Sequence, residues 1–190
     1  MVENRRIHLD EDTQLMIKAL EGDERAYDKL YRKYFPVVTS FITSLNGNFH
    51  SSEDLSQKVF TLIWEKRIKF RGDSSVKTYL LAIAKNVLSE YRRQEDKEST
   101  VKQTWLLKQN DPFFCSESHS ELYDTEAIQS IHRAMTYLTA KQLQAIELIY
   151  NMGLSSSKAA KIANCTEKAL ECRLARAHKK LHQIMHNLEA

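Results

Sequence analysis

Apolar positions recur along this chain at the three- and four-residue spacing of amphipathic helices. Leu55, Val59, Leu62 and Ile63, with Lys66 at the end of the stripe, predict a helix over Ser52–Lys66. Ser51 or Ser52 would be its N-cap, and Glu53 and Asp54 suit the positive end of its dipole. Phe70–Ser75 follows as a turn-rich loop, and Val76–Arg93 as a second helix burying Leu80, Ile83, Ala84, Val87 and Leu88. Two helices precede this pair. The first, Gln14–Glu21, is capped by Asp12 or Thr13 and ended by Gly22. The second, Ala26–Leu45, is capped by Asp23 and should be kinked or split by Pro36. Its stripe of Tyr27, Leu30, Tyr31, Tyr34, Val38, Phe41, Ile42 and Leu45 has the spacing of a core face, although its rings could also stack on bases. Asn46-Gly47-Asn48 closes it with a turn, and the four helices predict a bundle ending near Glu95.

The C-terminal third repeats the periodicity with shorter elements. Thr125 caps Glu126–Leu138, and Thr139 caps Ala140–Met152. Gly153-Leu154-Ser155 is a tight break, Ser156–Ala163 a short helix, Asn164-Cys165 a turn, and Thr166 the cap of a long helix, Glu167–Asn187. Short helix, turn and longer basic helix is the helix-turn-helix order, whose second helix presents its N-terminal residues to base edges in the major groove. Ala159, Ala160, Ile162 and Ala163 are small or apolar where the helices cross, and Leu170, Leu174 and Leu181 form the packing face of the last helix. Arg173, Arg176, His178, Lys179 and Lys180 form its polar face. A plain helical hairpin with a solvated basic helix fits the same pattern.

Composition narrows the class. Four Gly and two Pro among 190 residues favour an all-α protein, here two small helical domains joined by a flexible linker. There is no apolar run of about 18 residues for a membrane span, and Met1–His8 lacks the apolar core of a signal peptide. Cys115, Cys165 and Cys172 are odd in number and lack metal-finger spacing, which predicts a reduced, cytoplasmic protein. Cys165 and Cys172 are expected to pack within the helix-turn-helix.

Charge is uneven. Residues 1–94 carry a net +3, residues 95–126 a net −5 and residues 127–190 a net +5. The middle strip reads as an acidic linker over 97–124, with Trp105-Leu106-Leu107 and Phe113-Phe114 apolar enough to dock on something. The expected division is a tail at 1–11, a helical domain at 12–96, the linker, and a helix-turn-helix domain at 125–190. The helix after the loop carries Lys77, Lys85, Asn86, Arg92 and Arg93, with Tyr79 and Tyr91 among them. Cations meet phosphates, rings stack on exposed bases and an amide reads a base edge. A solvated basic face is the other reading of that helix.

No Ser/His/Asp, paired-carboxylate or phosphate-loop constellation is present, so no enzyme, cofactor or metal is expected. His178 and His182 are one turn apart without a partner ligand, and Cys115 and His119 share that spacing in the linker.

Four motifs in order then carry a resemblance. They are Gly22-Asp23-Glu24-Arg25-Ala26-Tyr27 with Leu30–Tyr34; Glu53–Phe60; Phe70–Leu80 with Ile83-Ala84-Lys85-Asn86 and Tyr91-Arg92-Arg93; and Gly153-Leu154-Ser155 with Arg173–Ala177. Together they resemble bacterial RNA polymerase sigma factors of the sigma-70 family, extracytoplasmic-function type. The resemblance implies that 12–96 is region two and 125–190 region four. It implies that Asp54, Leu55, Gln57 and Phe60 bind the polymerase clamp. Phe70, Arg71, Gly72, Asp73, Ser74 and Ser75 would hold a flipped base of the minus-ten element, with Lys85 and Asn86 nearby and Lys77, Arg92 and Arg93 on phosphates. Lys168, Glu171, Cys172, Arg173, Arg176 and Lys179 would face the minus-thirty-five element. The implied partners are core RNA polymerase (beta-prime clamp and beta flap), promoter DNA as duplex and melted non-template strand, and an anti-sigma factor or other regulator, with a monomer outside the complex. Glu171 stands where a DNA-contacting cation is common, and His178 replaces a frequent Arg. These departures imply weak or atypical minus-thirty-five reading. A stand-alone helix-turn-helix regulator with an N-terminal sensing or dimerisation bundle is the alternative.

Overall fold

The computed structural model describes residues 10–65, 68–102, 131 and 134–188. The described residues form helices and turns without a strand, the all-α class that the periodicity predicts. Four helices make the N-terminal unit: α1 (Glu11–Glu21), α2 (Glu24–Asn46), α3 (Phe49–Trp64) and α4 (Val76–Lys102).

Capping sets their boundaries. Asp23 accepts from the backbone N–H of Arg25 and Ala26, as expected, and Gly22 and Gly47 close α1 and α2 in left-handed conformation. The expected caps of α1 and α3 are corrected. Helix α1 begins at Glu11, and Asp12 instead accepts from the Tyr34 hydroxyl at 2.6 Å and from Lys33 Nζ, tying α1 to α2. Burial pushes the Asp12 carboxyl up, but those two hydrogen bonds outweigh it and hold the group below its ordinary value. Helix α3 starts three residues earlier than expected because Asn48, not Ser51 or Ser52, accepts from the Ser51 N–H. Helix α2 runs unbroken through Pro36. The ring is exposed while Tyr34 and Val38 on either side are buried, so packing offsets the lost backbone bond.

Met16, Leu30, Phe41, Ile42, Val59, Phe60, Ile63, Leu80 and Ala84 fill the core between these helices. Leu81 is fully buried and Ile83 only partly, so the inward face of α4 is turned slightly from the expected one. Tyr31 stacks on Phe35, meets Phe60 edge-on and lies tilted against Tyr27, and Phe35 is tilted against Phe60, which makes the aromatic stripe of α2 a packing face. Helix α4 continues to Lys102, so the first six residues of the expected linker are helical. Trp105–Leu107, Phe113-Phe114, Cys115 and His119 lie outside the described residues, as does most of the expected helix 126–138, of which residues 131 and 134–136 are helical.

The C-terminal unit contains α5 (Ala140–Ile146), α6 (Ser156–Ile162) and α7 (Glu167–Leu188). Thr139 opens α5 with a capping box made with Gln142. The expected single helix to Met152 widens over Glu147–Asn151 into a π-helical turn, closed by Met152 N–H on the Glu147 carbonyl at 2.9 Å. Gly153 (φ 63°) and Asn164 (φ 49°) make the left-handed turns on either side of α6. Thr166 caps α7 through the Ala169 N–H, and Leu148, Ala160, Ile162 and Leu170 pack between α5, α6 and α7. Helix α4 touches α6, and α2 touches α5, so the two units meet.

Candidate nucleic-acid interface

Helix α3 separates its two faces cleanly. Leu55, Val59, Phe60 and Ile63 point inward, whereas Asp54, Gln57, Lys58 and Thr61 are exposed. Leu55 and Phe60, for which docking roles are expected, are thus on the inward face of α3. Their side chains are 6% and 1% exposed and lie beneath the outer strip. Lys58 reaches Glu90 of α4 at 3.6 Å. Sequence reasoning missed Trp64, which is 49% exposed and meets the Tyr27 ring edge-on at 4.9 Å. Its spacing was the available signal, because positions 54, 57, 61 and 64 lie on one side of a helix.

The loop before α4 is held from below and open at its tip. Phe70 packs on Tyr79 at 5.0 Å, and the Tyr79 hydroxyl donates to the Lys69 carbonyl at 3.0 Å. Burial raises the Tyr79 pKa, which keeps that donor protonated. Gly72 (φ 78°) turns the chain, leaving Arg71 and Asp73 exposed and Ser74 half-buried. Ser75 is not free for a base: its hydroxyl lies 2.9 Å from that of Thr78 and accepts from the Thr78 N–H at 3.3 Å, capping α4.

Along α4 the expected cations fall into two groups. Arg93 and Asn86, seven residues apart, share an exposed helix face. Lys77, Lys85 and Arg92 are engaged within the protein. Lys77 Nζ donates to the Met152 carbonyl at 2.8 Å. Lys85 Nζ donates at 2.9 Å to the side-chain oxygen of Asn164, whose amide is oriented by its neighbours. Arg92 donates to the Leu45 carbonyl, fixing α4 to the end of α2.

On α7, Lys168, Cys172, Arg176 and Lys179 form one exposed strip, with Glu171 exposed beside it and Arg173 half-buried. Cys172 is thus a surface thiol, not a packing residue as expected, while Cys165 is half-buried. His178 lies against Tyr150 at 5.5 Å between ring centres. Among the described residues no group of three His, Cys, Asp or Glu could hold a metal ion, and no helix is long and apolar enough to cross a membrane. The arrangement offers surfaces for charged and planar partners.

A family model described as sigma-70 region 2 matches residues 30–98, the span that contains α3, the loop and most of α4. The chain is 24% identical over 185 residues to the RNA polymerase sigma-H factor of Pseudomonas aeruginosa, covering 94% of this chain and 96% of that one. It is 27% identical over 157 residues to the extracytoplasmic-function sigma factor SigM of Bacillus subtilis, covering 83% and 93%. Among solved structures it is similar to the sigma factor RpoE in complex with the anti-sigma factor NepR from Bartonella quintana. The TM-score there is 0.70 at 24% identity, over 84% of this chain and 96% of that one. It is also similar to CnrH in complex with the cytosolic domain of CnrY, with a TM-score of 0.65 at 19% identity over 93% and 97%.

Proposed function

We infer the working of this chain from one premise: it belongs to the sigma-70 family of RNA polymerase sigma factors, in the extracytoplasmic-function group. It acts in transcription initiation. On our reading it binds core RNA polymerase through the outer strip of α3, with Asp54 and Gln57 as polar contacts and exposed Trp64 as a flat apolar one. It directs polymerase to its promoters and helps melt the minus-ten element. The loop tip at Arg71–Asp73, with Asn86 and Arg93 on α4, takes the unpaired non-template strand, since a base already out of the stack can be met by polar groups in a turn. The strip on α7 faces the minus-thirty-five duplex. Exposed Glu171 repels phosphate, although a carboxylate can accept from cytosine N4, so this reading is weak or atypical. Like the RpoE relative, this chain is expected to have an anti-sigma partner.

One observation carries the proposal. The region 2 match covers, in one continuous span, both an exposed polar strip on α3 and an exposed Arg-Gly-Asp loop tip leading into α4. Overproducing the chain in its host and mapping new transcript starts will yield a common minus-ten sequence. On such a promoter, holoenzyme containing this chain exposes minus-ten thymines to permanganate. An Arg71→Ala, Asn86→Ala variant loses that reactivity while still binding polymerase. Undiminished reactivity in the variant would take melting away from this face.

A further inference from the structure

The loop that leads into α4 is fastened at both ends to one turn of that helix. At its far end the Ser75 hydroxyl lies 2.9 Å from that of buried Thr78 and accepts from the Thr78 N–H at 3.3 Å. At its near end the hydroxyl of the next residue, Tyr79, donates to the Lys69 carbonyl at 3.0 Å. The Tyr79 ring meets Phe70 at 5.0 Å between ring centres, and both rings lie against the core. Between the two fastenings the tip stands clear of the protein. Gly72 turns it in left-handed conformation (φ 78°), a Cβ there would meet nothing within 4 Å, and Arg71 and Asp73 are exposed.

The two fastenings do different work. The Ser75–Thr78 pair caps α4 and belongs to the helix. The Tyr79–Lys69 bond spans ten residues of sequence and caps nothing; it ties the start of the loop to the helix. Lys69 is exposed, and a hydrogen bond at such a position adds little to global stability. Its local effect is larger, because it leaves only residues 70–74 between anchors. A loop set in advance need not be ordered when a ligand arrives, and it holds its polar groups in one arrangement. A loop released at one end can shift to meet whichever base is present. It then loses affinity for the right base and tolerates wrong ones better, and selectivity is the difference between the two.

We propose that Tyr79 is a positioning residue for the base-reading loop. Its hydroxyl on the Lys69 carbonyl and its ring against Phe70 set the Arg71–Asp73 tip before the strand arrives, and so set how sharply the tip tells the right minus-ten base from a wrong one. This rests on the proposed role of the loop tip in taking the unpaired strand. Tyr79 acts through the loop and not on the base itself.

The test uses holoenzyme assembled from core polymerase and the full-length chain. It is titrated with a labelled single strand carrying the mapped non-template minus-ten sequence, and with the same strand altered one base at a time. The chains are wild type, Tyr79→Phe, which removes the hydroxyl and keeps the ring, and Tyr34→Phe, which removes a hydroxyl that donates to Asp12 at 2.6 Å, away from the loop. Circular dichroism checks each fold, and millisecond hydrogen exchange on the free chains reads the amides of 69–75. In Tyr79→Phe those amides exchange severalfold faster, while α2 and α3 are unchanged. At one position of the strand wild type prefers the right base by about tenfold or more. Tyr79→Phe cuts that preference roughly fivefold, chiefly by weaker binding of the right base. Tyr34→Phe melts earlier yet keeps the full preference, so lost stability alone does not produce the effect. Unchanged exchange in Tyr79→Phe, or an equal loss of affinity for right and wrong bases, overturns the role of Tyr79. The Arg71→Ala, Asn86→Ala variant tests the underlying reading. If that variant keeps the wild-type preference, the tip is not the reader and the role of Tyr79 falls with the proposed function. If that variant loses the preference and Tyr79→Phe does not, the role of Tyr79 alone falls.

Discussion

Phe60→Ala lowers the unfolding free energy by about 3–5 kcal/mol, the usual cost of removing a buried phenyl ring. The ring is 1% exposed and meets Tyr31 edge-on at 5.0 Å and Phe35 at 5.9 Å. Its backbone carbonyl also accepts from the Tyr27 hydroxyl at 3.2 Å, so the residue joins α3 to α2 twice. Few neighbours can collapse into the space, because Val38, Phe41 and Ile63 are already fully buried. Urea denaturation followed by circular dichroism measures the loss. A cost below about 1 kcal/mol would mean that the ring is a surface group and that docking, not packing, explains it. The distinction has a functional side. Loss of polymerase binding in Phe60→Ala accompanies loss of fold, whereas changes at exposed Asp54 and Gln57 alter binding in a chain that melts like wild type.

Leu170→Ala separates the two units. Leu170 is fully buried at the first turn of α7, in the same core as the small residues Ala159, Ala160 and Ala163. Its truncation costs about 2–5 kcal/mol. If 125–190 is a unit with its own core, that cost falls on it. Hydrogen exchange then shows amides of α6 and α7 losing protection while those of α2 and α3 keep theirs. Uniform loss along the chain would mean one cooperative unit, contrary to the domain division proposed here. In the variant the α7 strip loses its geometry, and contacts made through α3 persist.

What could be read from the sequence followed from periodicity and caps. Gly22, Asp23, Gly47, Thr139, Gly153 and Thr166 all act where turn and cap chemistry places them. The shifts at α1 and α3 have one cause: several residues there could cap, and tertiary contacts decide among them. Asp12 is claimed by Lys33 and Tyr34, which leaves it unavailable to its own helix. Leu81 in place of Ile83 shows the limit of a period argument on a helix that is apolar on more than one side. Glu147 was illegible, because a carboxylate in an apolar run reads as an exposed position until a second unit covers it. The same covering hides Lys77 and Lys85, whose residue types point to phosphate but whose partners here are backbone and amide. Trp64 is legible in spacing as part of the outer strip, although an aromatic residue in an apolar helix more often belongs to the core.

The central claim is that this chain docks on core RNA polymerase through the outer strip of α3. Its most direct test is co-purification of the tagged full-length chain with core polymerase from its own host, for wild type and for an Asp54→Ala, Gln57→Ala double variant of unchanged thermal stability. Stoichiometric capture by wild type and weak capture by the variant is the predicted result. Equal capture by both would move the interface elsewhere. Absence of polymerase with wild type, alongside sequence-specific duplex binding by the chain alone, would contradict the account and favour a stand-alone regulator.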